Sequence, residues 1–227
     1  MSIDTSRIHA ICFDIDGTLR NTDDQYVEKL QKWLHWLRLF LPKGDPSLTA
    51  RHIVMAMEEP GNFIIQIPDR LGIDEPIARV LDYFDRKQWI KSDSKETIID
   101  GAIHCLTSLH THYPLCIVSA RGELQTMRFL EYFGLTPLFK CIATAQTTPH
   151  SKPYPDPLLW VSQQMSVPPE QCLMVGDTIV DILTAKAAGT QSVGVLSGFG
   201  EEVELQAVGA DLIIPSVENL IQLLLMD

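Results

Sequence analysis

The chain has 227 residues, of which 45% are hydrophobic and 21% charged, a soluble globular balance that excludes disordered, collagen-like and coiled-coil organisation. Eighteen Lys and Arg against 29 Asp and Glu give a formal net charge of −11, which argues against nucleic-acid recognition through a basic face. A chain this long forms one large domain, or a domain with a sizeable insert, and buries its core without disulfides or a structural metal.

Met1 to Ser6 has no basic start and no long apolar stretch, so it does not read as a signal peptide. No run approaches the roughly 18 apolar residues of a membrane helix, and no membrane partner is expected. The five cysteines, Cys12, Cys105, Cys116, Cys141 and Cys172, are scattered and contain no C-x-x-C pair. They read as buried free thiols of a reducing cytoplasm.

In chain order, Ile8 to Phe13 is a short apolar run that stops at Asp14-Ile15-Asp16-Gly17-Thr18, a strand ending in a polar turn. Roughly Arg20 to Ile99 has a different texture. Tyr26, Leu30, Trp33, Leu34 and Leu37 follow a helical period, as do Ile53 and Met57 and then Ile77, Val80, Leu81 and Phe84. Pro42, Pro46, Pro60-Gly61 and Pro68 divide the stretch. It reads as a small all-α insert.

From Asp100 onward, apolar runs at 115–118, 141–143, 172–175, 192–195 and 212–214 alternate with helical patterns. Continuous apolar runs suit strands covered on both faces, as in a parallel sheet. Between them, Leu124, Met127 and Leu130 share a helical face that Gly134 stops. Asp156 before Pro157 predicts an N-cap, Gly189 ends the helix from Ile182, and Val217, Leu220, Ile221 and Leu224 line a last helix. Alternating units of this kind predict an α/β fold with a doubly wound parallel sheet. The predicted organisation is a core of 1–19 and 97–227, with a cap of 20–96 inserted between its first and second strands.

Four polar motifs fall at the carboxyl ends of predicted strands, where open α/β sheets bind ligands. They are Asp14-x-Asp16-Gly17-Thr18, Ser119, Lys152 within Ser151-Lys152-Pro153, and Gly176-Asp177-Thr178-Ile179-Val180-Asp181. Asp14, Asp16, Asp177 and Asp181 would repel one another unless a cation sits among them. Oxygen donors favour a hard ion such as Mg²⁺. On a helix opening at Thr178, Asp177 and Asp181 face the same way. A carboxylate beside a metal can approach an anion and attack phosphorus. Ser119, with the backbone N–H of Ala120, offers donors to phosphate oxygens, and Lys152 offers a compact positive charge. Gly17 permits close backbone approach, and Thr18 completes the substrate-facing turn. A leaving alkoxide needs a proton, and Asp16, two residues from Asp14, faces the same side of an extended turn.

With Phe133-Gly134-Leu135, Lys152-Pro153-x-Pro155-Asp156-Pro157 and Ala185-x-Ala187-Ala188-Gly189-Thr190, these motifs resemble the haloacid dehalogenase superfamily, in its phosphoglycolate-phosphatase-like branch with a helical cap. The resemblance implies a Rossmann-like core. It implies Asp14 as a nucleophile forming an aspartyl-phosphate, Asp16 as general acid and then base, and Ser119 and Lys152 as phosphoryl-binding groups. The implied Mg²⁺ ligands are Asp14, the backbone carbonyl of Asp16, and Asp177, with Asp181 nearby, through water or by orienting Lys152. Dehalogenases proper lack an aspartate at the position of Asp16, phosphonate-cleaving members carry a small residue there, and P-type pumps carry Asp-Lys-Thr-Gly-Thr. Arg20-Asn21-Thr22-Asp23-Asp24 replaces the acidic-serine pair and histidine of many relatives, which argues against a β-phosphoglucomutase-type activity.

The expectation is therefore a Mg²⁺-dependent phosphomonoester hydrolase of a small phosphorylated metabolite. By analogy alone, the metabolite is phosphoglycolate-like. The alternatives are a phosphomutase or pyrophosphatase on the same core, or a non-catalytic binding member. The protein is expected as a monomer or homodimer. Hinges are expected at 19–23 and 92–100. Arg51, His52, Asn62 and Arg70 of the insert read as solvated cap residues, with contact to a substrate as the alternative, and His110-x-His112 reads as a helix end on the surface.

Overall fold

Each of the runs Ala10-Ile11-Cys12-Phe13 and Leu115-Cys116-Ile117-Val118 is buried at every position, which requires a covering layer on both sides of the sheet they join. The computed structural model describes residues 3–21 and 96–226 and contains those layers. The strands are β1 (Ala10–Phe13), β2 (Leu115–Val118), β3 (Phe139–Ala143), β4 (Cys172–Gly176), β5 (Gln191–Val195) and β6 (Leu212–Ile214). They form one sheet in the order β3-β2-β1-β4-β5-β6, with every neighbouring pair parallel. The helices are α1 (Ala102–His110), α2 (Glu123–Tyr132), α3 (Asp156–Met165), α4 (Ile179–Ala188), α5 (Glu202–Ala207) and α6 (Asn219–Leu225).

The period of two along each strand sorts the core into two layers. Ile11, Phe13, Leu115, Ile117, Leu173 and Val175 pack with Leu106 and Leu109 of α1, Phe129 of α2 and Leu220 of α6. Cys12, Cys116, Val118 and Met174 face the other way, against Leu158 and Val161 of α3 and Ala185 of α4. The doubly wound α/β sheet is thus the observed architecture. Gly189 ends α4 in the left-handed conformation, φ 77°, as its place after Ala188 predicts.

Three local expectations need correction. Asp156 is the first residue of α3 rather than its cap. No side-chain cap bond forms there, and His150 Nδ1 instead lies 3.0 Å from Asp156 Oδ1. Leu124 is 43% exposed, and the inward face of α2 runs through Thr126, Phe129 and Leu130. The helical period marked the right segment and placed Leu130 in the core, but the inward face turns away from Leu124 and takes in Phe129. The third strand begins at Phe139, two residues before the apolar run, because an edge strand leaves part of its surface to water. His110 ends α1, where its Nδ1 lies 2.9 Å from the Leu138 carbonyl. Among the described residues neither His110 nor His112 joins a metal-type cluster.

The chain leaves and rejoins this core side by side. Ile99 N–H donates to Leu19 O at 2.8 Å and Asn21 N–H to Thr97 O at 3.1 Å, and Arg20 and Ile98 form an antiparallel bridge. The helical periods of the insert, its aromatic residues, Arg51, His52, Asn62 and Arg70 lie outside the described residues. No helix among the described residues is long and apolar enough to cross a membrane.

Candidate active site

The three central strands deliver their loops to one edge of the sheet. Asp14 N–H extends the β1–β4 pairing by donating to Val175 O at 2.9 Å. The chain then turns tightly. The Ile15 carbonyl receives the N–H groups of Leu19 and Arg20, both at 2.8 Å, and Gly17 N–H donates to Arg20 O at 2.9 Å. Gly17 is required here twice over. Its φ is +75°, and a Cβ would collide with the Asp177 carboxylate.

Beyond β2, Ser119 N–H donates to Ala143 O at 3.0 Å and Ala145 N–H to Arg121 O at 2.9 Å, so the loop after β2 is tied to the loop after β3. Ser119 is buried, and its Oγ accepts from Arg121 N–H at 3.2 Å, which leaves the hydroxyl proton for a ligand. Ala120 is partly buried beside it. Thr18 is fully buried, and its hydroxyl has no hydrogen-bond partner among the described residues.

Lys152 joins the motifs. Its side chain is fully buried, and Nζ donates to Asp14 Oδ1 at 2.7 Å and to Asp181 Oδ1 at 2.6 Å. The other oxygen of Asp181 accepts from Thr178 N–H at 3.0 Å and Thr178 Oγ1 at 2.8 Å, the capping box that opens α4. Asp177 Oδ2 accepts from Phe199 N–H at 2.8 Å. Asp14, Asp177 and Asp181 are all buried, and their carboxylate oxygens lie within 4.8 Å of one another.

Asp16 belongs to a different grouping. Its Oδ1 accepts from Arg20 Nη1 at 2.9 Å, and Arg121 Nε lies 3.4 Å from Oδ2. Burial works against the charge of Arg20, but Asp16 and then Glu96 hold its pKa well above the ordinary guanidinium value. The carboxylate of Asp16 therefore stands apart from the acidic cluster, which leaves its backbone carbonyl as the group implied for a metal.

Three buried carboxylates lie within 4.8 Å of one another, and Lys152 bridges two of them, Asp14 and Asp181. Burying like charges side by side is costly. A divalent cation offsets that repulsion, and an all-oxygen donor set suits Mg²⁺. The cluster fits that ion.

Sequence reasoning missed Arg20, Arg121 and the loop after β5. In that loop Ser197 Oγ donates to Gly17 O at 2.9 Å, and a Cβ on Gly198 would strike Asp177. The available signal was Ser197-Gly198-Phe199-Gly200 at the end of a fifth strand, a glycine pair in the same structural position as the other motifs.

The fold and this constellation match known proteins. Residues 11–195 match the family model of haloacid dehalogenase-like hydrolases, and the chain belongs to that family. Among its relatives, the pyrophosphatase PpaX of Anoxybacillus flavithermus is 29% identical over 220 residues, covering 96% of this chain and 97% of the relative. The phosphoglycolate phosphatase of Escherichia coli strain K12 is 26% identical over 232 residues, covering 94% and 91%. A haloacid dehalogenase-like family hydrolase of Streptococcus pneumoniae shares the fold with a TM-score of 0.68 at 23% identity, over 96% of this chain and 99% of that one. The protein is an enzyme of the family's phosphoglycolate-phosphatase-like branch.

Proposed function

We propose that the protein is a Mg²⁺-dependent phosphomonoester hydrolase that works through an aspartyl-phosphate on Asp14. The observation that carries this reading is the Lys152 ammonium held between Asp14 and Asp181 inside a buried acidic cluster. A phosphatase that attacks through a carboxylate needs this pairing of the nucleophile with a fixed cation for the incoming anion.

In this reading Asp14, the Asp16 carbonyl and Asp177 hold Mg²⁺, which supplies charge neutralisation beside the nucleophile. Lys152, the Ser119 hydroxyl and the loop N–H groups around Ala120, Gly17 and Thr18 hold the phosphoryl oxygens. Asp181 orients Lys152. Asp14 attacks phosphorus while Asp16 donates a proton to the departing ester oxygen. Asp16 then takes a proton from the water that hydrolyses the acyl phosphate, which restores the Asp14 carboxylate and the Asp16 carboxylic acid. Residues 1–19 and 97–227 form the core, and 20–96 form a helical cap that excludes bulk water and selects the substrate. The enzyme works in a reducing cytoplasm, a reading supported by five free thiols.

A small phosphorylated metabolite such as phosphoglycolate is the substrate class. The 29% identity to a pyrophosphatase favours pyrophosphate as the second candidate. The test is hydrolysis of p-nitrophenyl phosphate, phosphoglycolate and pyrophosphate with Mg²⁺ and with chelator. Asp14→Asn is expected to lower kcat by about 10⁴-fold or more. Normal turnover in that variant, or in chelator, overturns the reading.

A further inference from the structure

Arg20 lies just past the turn that carries Asp14 and Asp16 and belongs to none of the four motifs. It is 9% exposed. Its Nη1 donates to Asp16 Oδ1 at 2.9 Å and its Nε donates to Glu96 Oε2 at 2.9 Å. The Asp16 and Glu96 side chains are themselves only 8% and 14% exposed. A guanidinium fork with a carboxylate on each of two directed donors is strong and orientationally demanding. The backbone beneath it is fixed as well, since Arg20 O accepts from Gly17 N–H at 2.9 Å and Arg20 N–H donates to Ile15 O at 2.8 Å.

The two oxygens of Asp16 are held unequally. Oδ1 takes the short bond from Arg20, whereas among the described residues Oδ2 has only the 3.4 Å approach of Arg121 Nε. Arg121 also has a buried Nη1 without a hydrogen-bond partner among the described residues, so its guanidinium is not locked by a full set of bonds. The terminal torsion of an aspartate is broad and two-fold. A proton donor must nevertheless present one oxygen within about 2.6–3.2 Å of the reacting atom.

We propose that Arg20, braced by Glu96, is a positioning residue for Asp16: it anchors Oδ1 and leaves Oδ2 as the oxygen that serves the leaving group and then water. The proposal rests on the acid and base role given to Asp16 above. It also assigns a job to the departure at position 20, where nothing in the four motifs calls for a charge. The two residues of the brace come from the outgoing and returning passes of the chain, so the geometry of Asp16 depends on both passes staying in register.

A residue that merely staples the two passes together would affect all substrates alike. A residue that positions a general acid would not, because a good leaving group departs without a proton. The experiment is kcat/KM for p-nitrophenyl phosphate, phenyl phosphate and β-glycerol phosphate with Arg20→Met, Glu96→Gln, Arg20→Lys, Asp16→Asn and the Arg20→Met/Asp16→Asn double variant. Wild type is expected to vary little across the series. Arg20→Met should stay within about threefold of wild type on p-nitrophenyl phosphate and lose about 10²-fold on the glycerol ester. Glu96→Gln should show the same trend more weakly, and Arg20→Lys should recover part of the loss. The double variant should be no slower than Asp16→Asn alone, since the two act through one group. Equal loss on all three esters in Arg20→Met and Glu96→Gln, or additive loss in the double variant, overturns the positioning role. Equal loss on all three esters in Asp16→Asn instead overturns the acid role of Asp16 itself. Thermal melts identify a folding failure, and in that event Glu96→Gln and Arg20→Lys carry the comparison.

Discussion

Lys152 is the residue on which the site's electrostatics turn. A lysine is almost never fully buried unless paired, and here two carboxylates hold it at 2.7 and 2.6 Å. Removing one partner of a buried ion cluster leaves uncompensated charge, so Lys152→Met is expected to lose about 3–5 kcal/mol in urea unfolding without added metal. Glycine positions make a second comparison. Gly17 and Gly134 have φ of +75° and +66°, but a Cβ meets Asp177 at Gly17 and nothing within 4 Å at Gly134. Alanine at either site costs about 1–2 kcal/mol for the left-handed backbone. Only Gly17→Ala must also displace a carboxylate of the site. Thermal melts should therefore show both variants destabilised, Gly17→Ala more so, while Gly134→Ala keeps wild-type kcat. Individual motif residues such as Asp14, Asp177 and Lys152 were legible in the sequence, because a chemical role needs that side-chain type at that strand end. Arg20 and Arg121 were not, because a surface arginine and a buried ion-paired arginine look identical until the chain is folded.

Elements carry their own consequences. The turn before α4 serves the helix and the site together, because Asp181 caps the helix through Thr178 and holds Lys152 with its other oxygen. Thr178→Ala removes one of the donors to Asp181. It should cost about 1 kcal/mol of stability and also lower kcat, a pairing that a simple surface cap would not show. The strands make a thiol row, since Cys12 pairs with Cys116 and Cys116 with Cys141 across β1, β2 and β3. Cys116 Sγ lies 2.9 Å from Cys141 Sγ, and a hydrogen bond from Cys116 lowers the pKa of Cys141. Burial, with Glu218 adding to it, pushes Cys105 up to about 12. Reactivity follows thiolate content and access, and Cys141, on the edge strand, is the one thiol of the five that is not buried. Brief treatment with limiting iodoacetamide at neutral pH should label Cys141 before the buried, upward-shifted Cys12, Cys105 and Cys116, as read by peptide mass mapping. Strand positions were readable from apolar runs. The facing stripe of α2 was not, because Leu124 and Phe129 are both apolar and only the packing partner decides which turns inward.

At the scale of the whole molecule, the sheet gathers charge that the chain as a whole repels. The segments that follow β1 and β4 place three carboxylates within 4.8 Å of one another, and folding must bear that repulsion until a cation relieves it. Binding to the native state alone raises stability by about 2.7 kcal/mol at a hundredfold excess over Kd. For a chain of this size that corresponds to roughly 5–10 °C in Tm. Calorimetry should show this rise with Mg²⁺ in the wild type and little or none in Asp177→Asn. Without metal, Asp177→Asn should melt no lower than wild type, since one of the repelling charges is gone. The sequence by itself determined the alternation of strands and helices, the parallel sheet, and the motif residues at its carboxyl edge. Those features follow from local periodicity and side-chain chemistry, which short stretches of chain already contain. Only the tertiary structure decided that Asp16 stands with two arginines rather than with the other acids, that Asp181 holds Lys152, and that the loop after β5 closes around Asp177. Those facts join residues 4, 22, 29 and, for Asp16 with Arg121, 105 positions apart, and an ion pair or close approach set by the fold leaves no periodic trace in the chain that makes it.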